Sequence, residues 1–319
     1  MKAIQITALD GPHAVELVDV DAPVAGDGQV LIAVKAAGVS FPEVLQTRGL
    51  YQLKPPLPFT PGAEVAGEVI AAGEDTGFKP GDRVAGFCLL GGFAEQAVAQ
   101  ADMVFPLPDS ISFEQGAAIP LNYLTAYFSL IERGGLAEGE TVLVQGAAGG
   151  VGTASIQIAK AYGSGRVIAV TSTPEKGAVA LEAGSDEFVL AEGFKDAVKA
   201  AGGVDIVVDP VGGDRFTDSL RCLNDDGRLL VIGFTDGDIP TVQVNRLLLN
   251  NLAVVGVGWG AYVLKRPGYI AKQWAAILPH IESGALNPVI GNTYALADAS
   301  QALALLDDRK ATGKVLLSL

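Results

Sequence analysis

The chain has 319 residues, with 22 Lys+Arg against 36 Asp+Glu and a formal net charge of −14. This length suits one large or two ordinary domains, with a core that needs no disulfide or metal staple. With 49% apolar and only 18% charged residues it is no disordered chain, and its acidity argues against a nucleic-acid partner, whose phosphates it would repel.

Met1–Ile6 reads as a first strand; no apolar h-region follows, so a signal peptide is not indicated. Gln29–Val34 and Glu64–Ile70 are β-branched runs, and Pro55, Pro56, Pro58 and Pro61 make the segment between them extended loop. Pro80-Gly81-Asp82 is a turn into the short run Arg83–Ala85. This first third predicts a β-rich domain with little helix. Helical runs then appear at Phe113–Ile119 and Asn122–Ile131. From there strands at Thr141–Gln145, Arg166–Thr171, Phe188–Leu190, Asp205–Val208, Arg228–Ile232 and Leu252–Val257 alternate with helices at Val151–Ala161, Pro174–Ala183 and Arg215–Leu223. Such alternation makes a parallel sheet covered by helices on both faces. Helices near Gly268–Ser283 and Ala297–Asp307 and a strand at Lys314–Ser318 follow. The expected fold class is α/β: a Rossmann-type, doubly wound parallel sheet over 121–261, inserted in a β-rich domain made of 1–120 and 262–319.

Asn250, Asn251 and several glycines break the greasy stretch Leu247–Leu264, leaving it too polar to span a bilayer. Cys88 and Cys222 sit in no C-x-x-C or Cys/His cluster, so they are expected to be reduced thiols of a cytoplasmic protein. His13 and His280 read as surface residues.

The strongest motif is Val142-Leu143-Val144-Gln145-Gly146-Ala147-Ala148-Gly149-Gly150-Val151-Gly152. A strand runs into a glycine-rich turn and then a helix, the setting that a dinucleotide fingerprint requires. Gly149 would admit a pyrophosphate against the backbone, Gly152 would let helix and sheet pack closely, and the helix N-terminus would offer N–H groups to phosphate. Ala147 stands where the generic G-x-G-x-x-G has its first glycine. An NAD site usually ends its second strand in Asp or Glu. Here Thr171 is neutral, Ser172 can donate, and Lys176 can reach back to a 2′-phosphate, so NADP(H) is the expected cofactor; Glu175, close by, speaks against it.

The whole chain resembles the medium-chain dehydrogenase/reductase superfamily, in which a GroES-like domain is split around a Rossmann domain. Within it, the chain is most similar to the zinc-free quinone oxidoreductase (zeta-crystallin-like) family. Gly139, Glu140, Leu143, Ala147, Ala148, Gly149, Gly150, Gly152, Gln157 and Lys160 fit that family's signature at each fixed position. Further matching blocks are Ala37–Phe41, Pro61–Glu64, Pro80–Val84, Asp209–Gly213 and Ala311–Val315. The zinc branch of the superfamily has a Cys ligand where this chain has Ser40 and a His where it has Ala63; its cysteine-rich lobe is missing between Gly86 and Ala94. With those ligands gone no metal site is expected.

The resemblance implies a substrate held between Ser40, Tyr51 and the nicotinamide, with both hydroxyls as candidate catalytic donors to a developing oxyanion. Many relatives carry Asn at the position of Ser40 and Tyr at that of Leu45. The cofactor set it implies is Ala147, Gly149, Gly150, Val151, Gly152, Ser172, Lys176, Gly233, Phe234, Val257, Gly258, Trp259 and Lys314, the last near the cofactor phosphates. The expected activity is hydride transfer from NADPH to a small-molecule quinone or α,β-unsaturated carbonyl. The alternatives are an enoyl-thioester reductase, for which Lys265 and Arg266 offer two charges to a CoA phosphate, and a structural or regulatory NADPH-binding protein. Leu252–Val257 reads as an unblocked edge strand, so a homodimer through that edge is expected, with no membrane or nucleic-acid partner.

Overall fold

The computed structural model describes residues 1–319. The chain divides into two units, one of Met1–Leu121, Pro267–Leu278 and Pro288–Leu319, the other of Asn122–Arg266 and Pro279–Asn287. The junction expected after residue 261 thus falls after Arg266. The reason is the short helix Trp259–Val263, whose Trp259 and Val263 are buried and whose Tyr262 ring lies 4.9 Å from that of Phe128.

The first unit holds β1 (Lys2–Ile6), β2 (Val15–Asp19), β3 (Gln29–Val39), β4 (Glu64–Ala72), β5 (Arg83–Phe87), β6 (Gln96–Gln100) and β7 (Val104–Pro106). The second holds β8 (Thr141–Val144), β9 (Arg166–Thr171), β10 (Glu187–Leu190), β11 (Val204–Asp209), β12 (Leu223–Val231) and β13 (Ala253–Gly256). The chain then returns to the first unit with β14 (Ile290–Ala295) and β15 (Lys314–Ser318).

In the first unit one sheet runs β14-β15-β3-β4-β5-β7, with β6 also paired to β3, while β1 and β2 form a ribbon. Its core is β-branched and aliphatic, including Val30, Ile32, Val65, Val84 and Leu317, as alternation on half-buried strands requires. The ring of Trp274 stacks on Phe105 at 4.6 Å. The unit carries more helix than its sequence predicts: Phe41–Thr47 follows Ser40, with Pro42 in its first turn, where a missing N–H costs nothing.

The second unit is a parallel sheet in the order β10-β9-β8-β11-β12-β13. Chain order reverses between β8 and β11, which makes the carboxyl ends of those strands a topological switch point, where doubly wound sheets take their ligands. Leu143, Val207 and Leu229 are fully buried in its central strands, as continuous apolar runs covered on both faces should be. Several signature residues brace this unit. Glu140 accepts two bonds from Arg228, each 2.6 Å. Lys160 meets Asp186 at 2.9 Å, and Gln157 bridges Tyr123 to the backbone of Asn287.

Candidate active site

In the second unit the phosphate-loop residues lie together at the switch point. β8 is followed by buried Gln145, whose N–H bonds to Val208 of β11 and whose amide donates to Ser219. The turn at Gly146 has φ +58°, in the left-handed region that glycine tolerates. The helix Gly150–Ala161 is capped by Gly149, which offers no side-chain acceptor. Its first-turn N–H groups are therefore left for a ligand, with the positive end of the helix dipole behind them. A Cβ on Gly152 would lie 2.4 Å from the Gly146 carbonyl oxygen and 2.7 Å from the Ala147 carbonyl carbon, which is the close helix-to-sheet packing expected there. A Cβ on Gly149 would meet only the Gly146 oxygen, at 3.4 Å, so that face of the loop is open.

The neighbouring strand ends complete this edge. Thr171 is buried at the end of β9, with its hydroxyl on the Thr173 carbonyl at 3.1 Å. Thr173 caps the helix Pro174–Glu182 by accepting the Lys176 N–H. Ser172 is exposed and is not the cap. Lys176 is half-buried, and desolvation lowers its pKa. The Glu175 carboxyl is held below its usual range by its own backbone N–H and the Thr173 hydroxyl, so it is engaged at the cap. Beyond β12 come half-buried Gly233 and Phe234, and beyond β13 buried Val257, exposed Gly258 and buried Trp259. Phe234 packs over Gly212, where a Cβ would lie 2.8 Å from the ring.

Asp209, which opens the matching block Asp209–Gly213 but has no site role in the sequence reading, ends β11 at this same edge. It is 1% exposed and turns the chain by accepting the N–H groups of Val211 and Gly212, each at 2.9 Å. Its other carboxylate oxygen has no partner, and burial raises its pKa against those two bonds.

In the first unit a second constellation forms where β3, β4 and β15 meet. Ser40 follows β3, Glu64 opens β4 and Lys314 opens β15. Lys314, expected near the cofactor phosphates, is 3% exposed, pairs with Glu64, and donates to the Ser40 hydroxyl at 2.6 Å. Glu64 is fully buried, and its second oxygen accepts the Leu121 N–H at 2.7 Å. Gly38 makes room for it, since a Cβ there would lie 2.6 Å from the Glu64 side chain.

Glu43, three residues after Ser40, accepts the N–H of Ser40 at 2.9 Å and that of Ala63 at 3.2 Å. Burial pushes its carboxyl up to about 7, with the Glu64 charge adding and Lys314 opposing. The only sequence signal for it is the Ser-x-x-Glu spacing of a capping box. Tyr51 is half-buried, and burial together with the Glu43 charge raises its pKa, so its hydroxyl keeps its proton. Burial raises the Cys88 thiol to about 12; the thiol contacts the carbonyls of Gly62 and Ala63. No three His, Cys, Asp or Glu side chains are grouped to hold a metal.

Two family models match the chain: an alcohol dehydrogenase GroES-like domain over residues 26–109 and a zinc-binding dehydrogenase domain over 150–281. A mouse protein named quinone oxidoreductase-like protein 2 is 38% identical over 92% of this chain and 86% of its own length. The human quinone oxidoreductase is 36% identical over the whole of this chain and 98% of its own. Among solved structures, the quinone oxidoreductase of Thermus thermophilus, determined also with NADPH, superposes with a TM-score of 0.88 at 37% identity, covering all of both chains. The Escherichia coli quinone oxidoreductase complexed with NADPH gives 0.89 at 29% identity, again over both whole chains.

Proposed function

Because the chain belongs to the quinone oxidoreductase family of the medium-chain dehydrogenase/reductase superfamily, and is on that ground an oxidoreductase, we propose that it reduces quinones or α,β-unsaturated carbonyls with NADPH. The observation that carries this reading is the uncapped helix N-terminus at Gly149–Gly152, set at the switch point beside a second strand that ends without an acidic side chain.

NADPH, when bound, supplies the hydride; the remaining tasks fall to this chain. The N–H groups of Gly150, Val151 and Gly152 hold the pyrophosphate, which Ala147 and Gly149 admit by leaving the loop open. Ser172 and Lys176 take the 2′-phosphate, and the lowered pKa of Lys176 makes an anionic partner more valuable to it. Gly233, Phe234, Val257, Gly258 and Trp259 line the nicotinamide side of the same strand ends. Ser40 and Tyr51 donate to the carbonyl oxygen as negative charge grows on it. Rate then comes from placement and from oxyanion stabilisation rather than from a Lewis acid.

A catalytic zinc does not fit the first unit. Ser40 and Ala63 stand at the ligand positions of the zinc branch, and the Lys314 ammonium already provides the positive charge beside Ser40 and Glu64.

The test is to follow NADPH and NADH oxidation over a panel of quinones, enones and enoyl-CoAs, with cofactor titrations of wild type and Lys176→Ala. Quinone or enone turnover with NADPH preferred is the expected outcome. Losing one charge-assisted bond should weaken NADPH binding by roughly ten- to a hundred-fold in the variant. Equal affinity for the two cofactors in wild type would reject the 2′-phosphate site. Turnover confined to enoyl-CoAs would move the substrate to acyl thioesters, and no turnover at all would leave a binding protein.

A further inference from the structure

The buried Lys314–Glu64 pair has no task in the scheme above. We infer that these two are positioning residues for the Ser40 hydroxyl, which they convert into a committed hydrogen-bond donor. This rests on the reading of Ser40 as a group that touches the reacting carbonyl.

An ammonium has three donors and no acceptor. In the 2.6 Å bond between Lys314 Nζ and Ser40 Oγ, the serine oxygen must therefore accept. The serine proton points away from Lys314 as a result. It is directed at Glu64 Oε1 in a long bond of 3.3 Å, where a bond between hydroxyl and oxygen is ordinarily about 2.7–2.8 Å. The proton is thus weakly held and available to a better-placed oxygen. A hydroxyl that accepts from a cation is also polarised into a stronger donor, and this gain is larger out of water. Ser40 is buried, Lys314 is 3% exposed and Glu64 is fully buried, so solvent screens none of it. The backbone supports the geometry from three sides. The Glu43 carboxylate holds the Ser40 N–H, the Leu121 N–H holds the far oxygen of Glu64, and Gly38 leaves the space that Glu64 fills.

Glu64 is needed to make this tolerable. A buried charge left without a counter-charge is costly, and Glu64 supplies that counter-charge to the Lys314 ammonium. Lys314 accordingly acts on the substrate oxygen through Ser40.

The experiment removes both charges together, because Lys314→Met alone would strand Glu64 beside Glu43. The pair Glu64→Gln/Lys314→Met removes one negative and one positive charge together, so the net charge of the buried cluster is unchanged. It is compared with Ser40→Ala, with the triple variant and with wild type, using NADPH and 1,4-benzoquinone. The pair is expected to lower kcat about ten-fold or more while the equilibrium Kd for NADPH, read by its fluorescence, stays within about two-fold. Placed in the Ser40→Ala background, the pair should lower kcat no further. A ten-fold rise in the NADPH Kd with kcat intact would overturn the inference and return Lys314 to the cofactor phosphates. A full additional loss in the Ser40→Ala background would also overturn it, since the pair would then act without the hydroxyl. Wild-type kcat in Ser40→Ala itself would instead remove Ser40 from the reaction, a failure of the underlying reading. Should the Met variant not fold, Glu64→Gln/Lys314→Gln keeps the site polar and is expected to show the same split.

Discussion

Glu43 holds its proton in the folded protein at pH values where the unfolded chain has lost it. Its carboxyl is raised from 4.5 to about 7, with burial as the largest cause. Between those values the folded form binds more protons than the unfolded one, so stability falls as pH rises, and the loss is complete above about 7. Glu43→Gln removes this titration. The melting temperature of the variant minus that of wild type should grow as pH is raised from 4.5 to 7.5 and be flat below; a pH-independent gap would contradict the assignment. Gly152→Ala puts a Cβ 2.4 Å from a backbone oxygen that cannot move aside cheaply. Overpacking of this kind costs about 1–3 kcal/mol. A fall of several degrees in melting temperature is expected, together with at least ten-fold weaker NADPH binding, both measurable in one thermal-shift titration. The role of Gly152 was legible in the sequence because the fingerprint is local. The cluster of Glu43, Glu64 and Lys314 was not, since Lys314 lies 250 residues beyond Glu64 and no spacing rule connects them.

At the scale of elements, the strands Arg166–Thr171 and Lys314–Ser318 have the bounds their sequences predict, because both are apolar runs closed by turn residues. β2, β6 and β14 escaped notice because they are short and half-exposed, so neither alternation nor an apolar run marks them. The single helix expected over Asn122–Ile131 is a helix at Pro120–Tyr127 that widens into a π-helical turn at Phe128–Arg133, where the Gly134 N–H reaches back to Ser129. No periodicity shows that insertion. β13 is the end strand of its sheet, paired only to β12, and its residues are exposed or half-exposed. Ile239, Val244, Leu248 and Leu249, earlier in the same stretch of chain, are exposed apolar side chains. Both features fit the expected homodimer. The Val257 N–H bonds inward to Val231, so by strand alternation the Val255 N–H also faces β12 and the Val254 N–H faces out. Val254→Pro should therefore give a folded monomer in light scattering, whereas Val255→Pro should damage the sheet itself. A wild type that scatters as a 32.7 kDa monomer at micromolar concentration would rule out the dimer.

For the whole molecule, the sequence predicts both the β-rich and the doubly wound parts, because a change from punctuated strands to strand–helix alternation is a composition signal spread over many residues. The return to the first unit is harder to place. The helix Tyr269–Glu282 contains Pro279, and the chain passes from one unit to the other within it, a change that no run of apolar residues announces. No helix of the structure is long and apolar enough to cross a membrane. With Lys314 as the positive charge beside Ser40, activity should survive exhaustive dialysis against EDTA, and elemental analysis should find no stoichiometric zinc. Chelator-sensitive activity restored by zinc would show that a metal displaces this arrangement.

The position of β15 between β14 and β3 bears on how the protein is made. A ribosome delivers β3 and β4 early and β15 only after the whole second unit. Until then β3 lacks one of its neighbours, and the carboxylates of Glu43 and Glu64 have no counter-charge. The nascent first unit must wait in a partly open state while the second unit, apart from its short later segment, can already fold behind it. Such late, long-range closure is slow and leaves strand edges exposed to other chains. Arrested nascent chains ending before residue 310 should thus be cleaved readily by protease within residues 1–121 and resist it within 141–231. Chains released after Ser318 should resist in both.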